Sequence, residues 1–295
     1  MDRVKQQIHY WCDDIVQGNY KGGKITAAVL DTGIAPHPDF KGRIVSFVDC
    51  VNGRKLLYDD SGHGTHVAGI LAGDGRMSKG TLAGMAPEAR LCVIKVLDEK
   101  GEGNVDHILK GLWWTGENAG KFGIRVVNIS AGAKIGLDEE KEARLLEAVD
   151  RLWDMGLVVV VSAGNYGPGE GTIAVPGTSR KVITVGALKE GEEPGCSGTG
   201  PTRECVVKPD LVAPGYQIIS CNNVSPRAKK PYTVKSGSSM ATPVVSGAAA
   251  VLLSKFPDMT NVELKLKLWE TCEKIEEKRA GTGWGMLRMD RLLEA

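Results

Sequence analysis

Four polar side chains beside apolar segments could together carry out nucleophilic chemistry. Ser239 stands where a Gly-Ser turn leads into the apolar segment Val244–Leu253. A helix beginning there would direct free N–H groups and its positive dipole end at the serine, where they could stabilise negative charge on a substrate carbonyl. A serine hydroxyl needs a base, and a histidine base needs a third group that fixes its tautomer. His63 and Asp31 are of the right types for these roles, and Asn165 could donate a hydrogen bond to an oxyanion.

Each of these residues also has an ordinary structural explanation when it is taken alone. Serine is a preferred helix N-cap, so a Gly-Ser-Ser sequence before a helix favours a structural role by itself. Asp31 would serve as a turn residue, His63 as a helix cap and Asn165 as a left-handed turn residue. His66, one helical turn after His63, is interpreted as a structural core histidine. The chemistry therefore depends on the elements that would bring these side chains together.

Apolar strands alternate with helices along the chain. Continuous apolar segments predict buried strands at 24–30, 91–97, 126–130 and 157–161. Helical patterns begin at His63 and Ser239 and cover 104–118 and 139–155. Open α/β sheets form their sites at the carboxyl ends of strands, where Asp31 and Asn165 would lie. The alternation predicts an α/β fold, a single domain with a mostly parallel central sheet flanked by helices on both faces.

The composition is that of an ordinary globular protein of 295 residues with a formal net charge of +1. It has no basic stripe that would favour nucleic acid or an anionic membrane, and no apolar segment of membrane-spanning length. The first residues lack the apolar core of a secretory signal. The seven cysteines are scattered without CxxC spacing, which supports neither a zinc site nor a disulfide framework. We therefore expect a cytoplasmic protein without nucleic-acid or membrane partners, and its oligomeric state stays open.

Four segments around the candidate residues closely resemble the subtilisin-like serine proteases, and they follow the family's order. They are Ala28–Ile34, His63–Gly69, Val161–Asn165 and Gly237–Pro243. The resemblance runs from about residue 20 to about residue 290. The short N-terminal extension, which lacks a pro-domain of the usual size, resembles the intracellular branch. We therefore predict a lead-in extension over 1–23 and a subtilisin-like peptidase domain over 24–295.

Carried over position by position, the resemblance implies an Asp-His-Ser triad. Ser239 would be the nucleophile, His63 the general base and then acid, and Asp31 the carboxylate that orients His63. Asn165 would donate to the oxyanion beside the backbone N–H of Ser239. The resemblance further implies two segments that pair with an extended substrate, and a pocket for the residue before the scissile bond. These substrate-binding positions are Gly101, Glu102, Gly103, Ser130, Ala131, Gly132, Ala163, Gly164 and Ala174.

The resemblance implies no cofactor for catalysis. It does raise the question whether the chain binds a structural calcium ion. Asp39 matches a calcium-ligating position of many secreted members. The companion loop, Asp74–Gly80, contains two basic residues and only one aspartate. Calcium prefers several oxygen ligands and a net negative charge. We therefore predict no metal site, while a structural calcium ion stays open.

The sequence thus predicts a serine endopeptidase that hydrolyses polypeptides through an acyl-enzyme intermediate, with a broad, mainly hydrophobic preference. Ala131, where the family usually has leucine, would leave a roomier upstream pocket. The alternative is a catalytically silent pseudoprotease that acts as a peptide-binding or scaffold module, although every residue of the triad is present. A nucleotide-binding protein would need a glycine pattern that neither Gly73–Gly75 nor Gly101–Gly103 completes.

Overall fold

A seven-stranded parallel sheet forms the centre of the structure, a computed structural model that describes residues 1–10, 20–131, 138–188, 196–223, 230–275 and 281–294. Its strands are β1 Thr26–Asp31, β2 Ile44–Asp49, β3 Arg90–Lys95, β4 Ile124–Ile129, β5 Val158–Ser162, β6 Ile183–Leu188 and β7 Leu211–Pro214. Their spatial order is β2-β3-β1-β4-β5-β6-β7. Every residue of β1 and β5 is buried, as parallel strands covered on both faces require.

Seven helices lie in the described part of the chain. They are α1 Asp2–Gln7, α2 His63–Ala72, α3 Val105–Phe122, α4 Glu139–Asp154, α5 Ser238–Lys255, α6 Asn261–Thr271 and α7 Met289–Leu293. Helices α2 and α5 pack against each other, and so do α3 and α4. The α/β fold predicted from the sequence, with a mostly parallel sheet flanked by helices, is confirmed.

The helix ends follow from local chemistry. The Asn104 side chain accepts the N–H of Asp106 and so caps α3, which ends at Gly123 in the left-handed conformation (φ 64°). The last residue of α3, Phe122, lies four residues beyond the predicted end at 118. At α6, Thr260 and Glu263 form a reciprocal capping box. The last helix, α7, is a short one of five residues, Met289–Leu293.

An antiparallel hairpin that the sequence did not indicate lies outside the main sheet. It consists of β8, Ile218–Cys221, and β9, Tyr232–Lys235. Both strands are only four residues long and β9 is only partly buried, so neither has a continuous apolar pattern. His66 of α2 joins this hairpin to the sheet domain, since its Nε2 lies 3.1 Å from the Ile218 carbonyl and 3.2 Å from the Thr233 carbonyl.

The N-terminal helix α1 is part of the main hydrophobic core. Val4, Ile8 and Tyr10 are buried in it, and the Ile8 carbonyl accepts the N–H of Met289 at 2.8 Å. The rest of the predicted lead-in includes residues 11–19, which lie outside the described ranges. Across the described residues, no helix combines the length and apolarity that crossing a membrane requires.

Candidate active site

The candidate residues meet at the carboxyl edge of the sheet and at the starts of two helices. Strand β1 ends at Asp31, and its neighbour β4 ends one residue before Ser130. His63 is the first residue of α2, and Ser239 is the second residue of α5. Because α2 and α5 pack side by side, both helix starts are held next to the strand ends. The main chain thus gathers an acid, an imidazole and a hydroxyl in one region.

Asp31 and His63 are joined by a short hydrogen bond. His63 Nδ1 lies 2.7 Å from Asp31 Oδ1, and the Asp31 carboxylate is fully buried. The backbone N–H of Thr32 donates to the same oxygen at 2.7 Å. Burial lowers the pKa of His63, but the charge and hydrogen bond of Asp31 outweigh it, so the pKa is raised above its usual 6.5. The arrangement fixes Nδ1 as the protonated nitrogen and turns Nε2 away from Asp31.

The buried carboxylate of Asp59 holds the segment after β1 against the start of α2. Its Oδ1 accepts the Thr32 hydroxyl at 2.8 Å and the Gly62 N–H at 2.8 Å. Its Oδ2 accepts both the hydroxyl and the N–H of Thr65, at 2.6 and 2.8 Å. Thr32 lies 27 positions from Asp59 in the chain, so this contact is visible only in the fold. The position of Asp59 immediately before a predicted helix was the signal that could have identified it.

A buried lysine supports the same strand end. Lys95, which pairs with Asp31 in the β1–β3 register, is fully buried. Its ammonium donates to the Asp60 carboxylate at 2.7 Å and to the carbonyls of Thr32 and Leu97 at 2.8 and 2.9 Å. These partners satisfy the buried cation. Lys95 was missed because it is embedded in an apolar strand and gives no local sign of a polar role.

Ser239 lies half-buried at the start of α5 and makes a reciprocal contact with Ser130. Each hydroxyl donates to the other residue's backbone carbonyl, at 3.1 Å in both directions. Asn128 donates to the Ser130 hydroxyl at 2.9 Å and accepts the Ser246 hydroxyl at 2.8 Å, which ties β4 to α5. Among the described residues no hydrogen bond joins Ser239 Oγ to His63. In this structure the Ser239 hydroxyl instead donates to the Ser130 carbonyl.

Asn165 is oriented by the residue that precedes Ser239. Its Oδ1 accepts the backbone N–H of Ser238 at 3.0 Å and the Ser238 hydroxyl at 3.2 Å. Because a backbone N–H can only donate, these contacts identify Oδ1 and leave the Nδ2 donors for another acceptor. Gly237 makes this approach possible: it has φ 137°, and a Cβ there would lie 3.1 Å from Asn165 Nδ2. No local sequence pattern indicates that Ser238 has this anchoring role.

The predicted substrate-binding positions follow strands β3, β4 and β5. Gly101, Glu102 and Gly103 form an exposed loop after β3, whereas Ser130 and Ala131 are buried beyond β4. After β5, Ala163 and Ala174 are fully buried and joined by a hydrogen bond from the Ala174 N–H to the Ala163 carbonyl (2.9 Å). Gly164 adopts the left-handed conformation (φ 86°), with no room for a Cβ beside Ala174. Gly132 lies outside the described residues.

His66 has the contacts of a structural residue. It is fully buried, and its Nε2 faces the two hairpin carbonyls described above. Burial, with a smaller contribution from His63, lowers the pKa of His66 to about 3. The imidazole is therefore neutral at physiological pH and donates one N–H to those carbonyls.

The residues at the calcium position do not fit that ion. Asp39 is buried, and its carboxylate accepts the Met77 N–H at 3.0 Å and the Tyr232 hydroxyl at 2.8 Å. In the companion loop, the Asp74 carboxylate is engaged by Arg76, at 2.7 Å. The loop carbonyls of Gly75 and Arg76 accept N–H groups of the same loop. Calcium requires six to eight oxygen ligands, and the described residues here do not offer them.

The family of the chain is decided by comparison with known proteins. The model of the family described as the subtilase family matches residues 22–285. The chain belongs to the subtilase family. It is 41% identical over 278 residues to "Serine protease AprX" of Bacillus subtilis (strain 168), covering 87% of this chain and 63% of that protein. It is 34% identical over 267 residues to "Subtilisin DY" of Bacillus licheniformis, covering 89% of each.

Solved structures of proteases share this subtilase fold. The structure titled "S41 Psychrophilic Protease" superposes with a TM-score of 0.80 and 28% identity, covering 97% of this chain and 96% of that one. "Sphericase" gives a TM-score of 0.79, also at 28% identity, with 91% and 92% covered. The subtilisin-like fold predicted from the motifs is therefore confirmed over nearly the whole chain.

Proposed function

We propose that this subtilase is an active serine endopeptidase that cleaves polypeptides. The observation that carries the proposal is the 2.7 Å hydrogen bond between His63 Nδ1 and the buried Asp31, beside the helix start that bears Ser239. This bond supplies a base of defined tautomer next to a hydroxyl. Two relatives bear names that point to the same chemistry, "Serine protease AprX" and "Thermophilic serine proteinase".

Acyl transfer then follows from the roles of the four residues. His63 Nε2 takes the proton of Ser239 Oγ as the oxygen attacks the scissile carbonyl. The backbone N–H of Ser239 and Nδ2 of Asn165 donate to the oxyanion that forms. The protonated His63 gives its proton to the leaving amine, which leaves an acyl-serine. Water, deprotonated by His63, hydrolyses this ester and restores the hydroxyl.

Substrate would bind as an extended strand along the carboxyl edge of the sheet. The exposed Gly101–Gly103 loop and the segment beginning at Ser130 flank the end of β1 and would pair with the peptide backbone. The small buried residues Ala163 and Ala174 leave room for an apolar side chain before the scissile bond. We propose a broad, mainly hydrophobic preference, with Ala131 widening the upstream pocket.

The remaining features of the predicted activity are proposals of the same kind. Every step above uses groups of this chain, so we propose that catalysis needs no cofactor. A cytoplasmic location is supported by the six described cysteines, which are all free thiols. We propose that residues 24–295 form the peptidase domain and that 1–23 precede it as an extension.

The test is hydrolysis of an unfolded, non-specific polypeptide by the full chain. We expect activity that Ser239→Ala abolishes, and Ser254→Ala, a matched loss of a hydroxyl near the end of the same helix, should leave it unchanged. A folded protein that binds the polypeptide without cleaving it would contradict the proposal and favour the pseudoprotease.

A further inference from the structure

A second cluster of reactive side chains lies between the segment after β1 and the β8–β9 hairpin. His37 caps a short 3₁₀ turn, Pro38–Phe40, whose middle residue is Asp39, and Cys221 ends β8. All three are buried, with 4%, 0% and 2% of their surface exposed, respectively. Asp39 Oδ1 lies 3.7 Å from His37 Nδ1, and Asp39 Oδ2 lies 3.7 Å from Cys221 Sγ. The three ligand atoms lie within 4.8 Å of one another.

The His37 ring is oriented so that one nitrogen can act as a ligand. Its Nε2 lies 2.9 Å from the carbonyl of Pro231, and because a carbonyl only accepts, Nε2 carries the proton. Nδ1 therefore presents a lone pair, which accepts the Asp39 N–H at 3.2 Å and lies 3.7 Å from Asp39 Oδ1, and a bound metal ion would replace that hydrogen bond. Histidines that bind metal ions almost always donate their other N–H to a carbonyl or carboxylate in this way.

The Asp39 carboxylate is held in place but lacks a compensating cation. Tyr232 and the Met77 N–H donate to its two oxygens, at 2.8 and 3.0 Å. Among the described residues no lysine or arginine forms a salt bridge with it, and Arg43 instead donates to backbone carbonyls, including that of Asp39. A buried carboxylate without a cation is costly. A bound cation would neutralise it, with Tyr232 as the outer partner that orients it.

We propose that His37 Nδ1, the Asp39 carboxylate and Cys221 Sγ bind a thiophilic divalent cation, Zn²⁺, in a structural site. Bond lengths of about 2.0–2.3 Å imply ligand separations of about 3.4–3.6 Å in a tetrahedral site. His37 Nδ1 and Cys221 Sγ each lie 3.7 Å from one oxygen of the Asp39 carboxylate, so small side-chain shifts would bring the three ligands to these separations. A nitrogen, a sulfur and an oxygen ligand suit zinc rather than calcium or magnesium. Water would complete the coordination. Binding converts the Cys221 thiol to a thiolate and releases its proton to solvent.

The proposed site does not contain the CxxC spacing that is typical of zinc sites in sequences. Cys221 and Asp39 are 182 positions apart, so no short spacing of ligand residues in the sequence predicts the cluster. The ion would link the 3₁₀ turn to the hairpin that also accepts the hydrogen bonds of His66. We therefore expect it to stabilise the fold, whether or not the chain is a peptidase.

Cobalt is the probe for the test, since Co²⁺ adopts zinc sites and its spectrum reports thiolate ligation. The full chain with Ser239→Ala, which prevents self-digestion, is stripped of metal and titrated with Co²⁺. We expect one equivalent to produce a near-ultraviolet thiolate-to-cobalt band and tetrahedral visible bands, both displaced by Zn²⁺. Zn²⁺ should also raise the thermal unfolding midpoint, whereas Ca²⁺ should not.

Matched variants locate the site. Cys221→Ser and His37→Gln should weaken Co²⁺ binding on the order of 100-fold or more and abolish the Zn²⁺-induced stabilisation. Cys272→Ser, which alters a buried cysteine outside the cluster, should bind as the parent does. Absence of the thiolate band in the parent, or equal binding by folded Cys221→Ser, would overturn the proposal. If Cys221→Ser does not fold, retention of the band in His37→Gln with parental affinity would overturn it equally.

Discussion

At the scale of single residues, the Asp31–His63 pair determines the pH at which the base becomes available. Asp31 raises the pKa of His63 above 6.5 because the buried carboxylate stabilises the imidazolium. Activity requires the neutral imidazole, so kcat/KM should rise with pH through a midpoint above 6.5. The same shift has the opposite sign for stability: this contribution is present below the unfolded pKa and is lost as pH rises through the folded pKa.

Asp31→Asn is the direct test of that coupling. We expect kcat to fall on the order of 10⁴-fold, a magnitude taken from other serine proteases including a subtilisin. The midpoint of kcat/KM should also move to lower pH, because the charge that raises the pKa of His63 is gone. A pH series of peptide hydrolysis measures both effects. An unchanged midpoint in a folded variant would contradict the assigned coupling.

Ser238→Ala tests the anchoring of Asn165. The variant loses the hydroxyl contact at 3.2 Å but keeps the backbone one at 3.0 Å, so we expect kcat to fall roughly 3- to 10-fold with little change in KM. Asn165→Ala should cost about 10²–10³ in kcat, the range known from a subtilisin. A fall in Ser238→Ala that equals that of Asn165→Ala would contradict the partial role of this hydroxyl.

The candidate catalytic residues could be proposed from the sequence, whereas the residues that hold them in place could not. Asp31, His63 and Ser239 occur in distinctive segments at ends of apolar elements, which the sequence displays directly. Asp59 and Lys95 act through partners that come together only in the fold. Their roles follow from burial and hydrogen bonding, which no local pattern contains.

At the scale of elements, α5 depends on close approach to the chain beneath it. Gly247 lies where a Cβ would come within 2.4 Å of Met85 Cβ. Gly247→Ala should gain up to about 1 kcal/mol in helix propensity but lose about 1–3 kcal/mol to overpacking, so we expect net destabilisation. Gly120→Ala in α3, where nothing lies within 4 Å of a Cβ, is the control and should be neutral or stabilising. Urea unfolding of both variants measures the difference, and equal stabilisation would refute the packing argument.

The elements also mark the limit of prediction from sequence. Strands of the central sheet were recognisable because burial on both faces makes them continuously apolar, as in Val158–Ser162. The β8–β9 hairpin was not predicted because Tyr232–Lys235 is short and only partly buried. Cys221 lies on that hairpin, so the cluster with His37 and Asp39 could not be seen before the fold was known.

At the scale of the whole molecule, buried thiols make the fold sensitive to alkali. Burial raises the pKa values of Cys92 and Cys272 to about 12. Their contribution to stability is complete below the unfolded pKa, near 9, and is lost progressively as pH rises towards 12. Each thiol should lower the free energy of unfolding by about 1.4 kcal/mol per pH unit in that range.

The loss of stability that the two thiols cause at alkaline pH can be measured in the Ser239→Ala background. We measure the free energy of unfolding by urea at pH 8 and at pH 10.5. It should decline less between these two values in the Cys92→Ala/Cys272→Ala variant than in the parent. Lys208 contributes with the opposite sign, since burial lowers its pKa to about 8, but it is present in both proteins and cancels in the comparison. Identical declines would show that these thiols do not titrate as their burial requires.

The central claim, that Asp31, His63 and Ser239 form an activated nucleophile, is tested most directly by covalent labelling. The full chain is treated with a fluorophosphonate probe, and the modified residue is identified by mass spectrometry. We predict labelling at Ser239, none in Ser239→Ala and strong suppression in His63→Ala. A folded, monodisperse protein that remains unlabelled, or that is labelled equally without His63, would contradict the account.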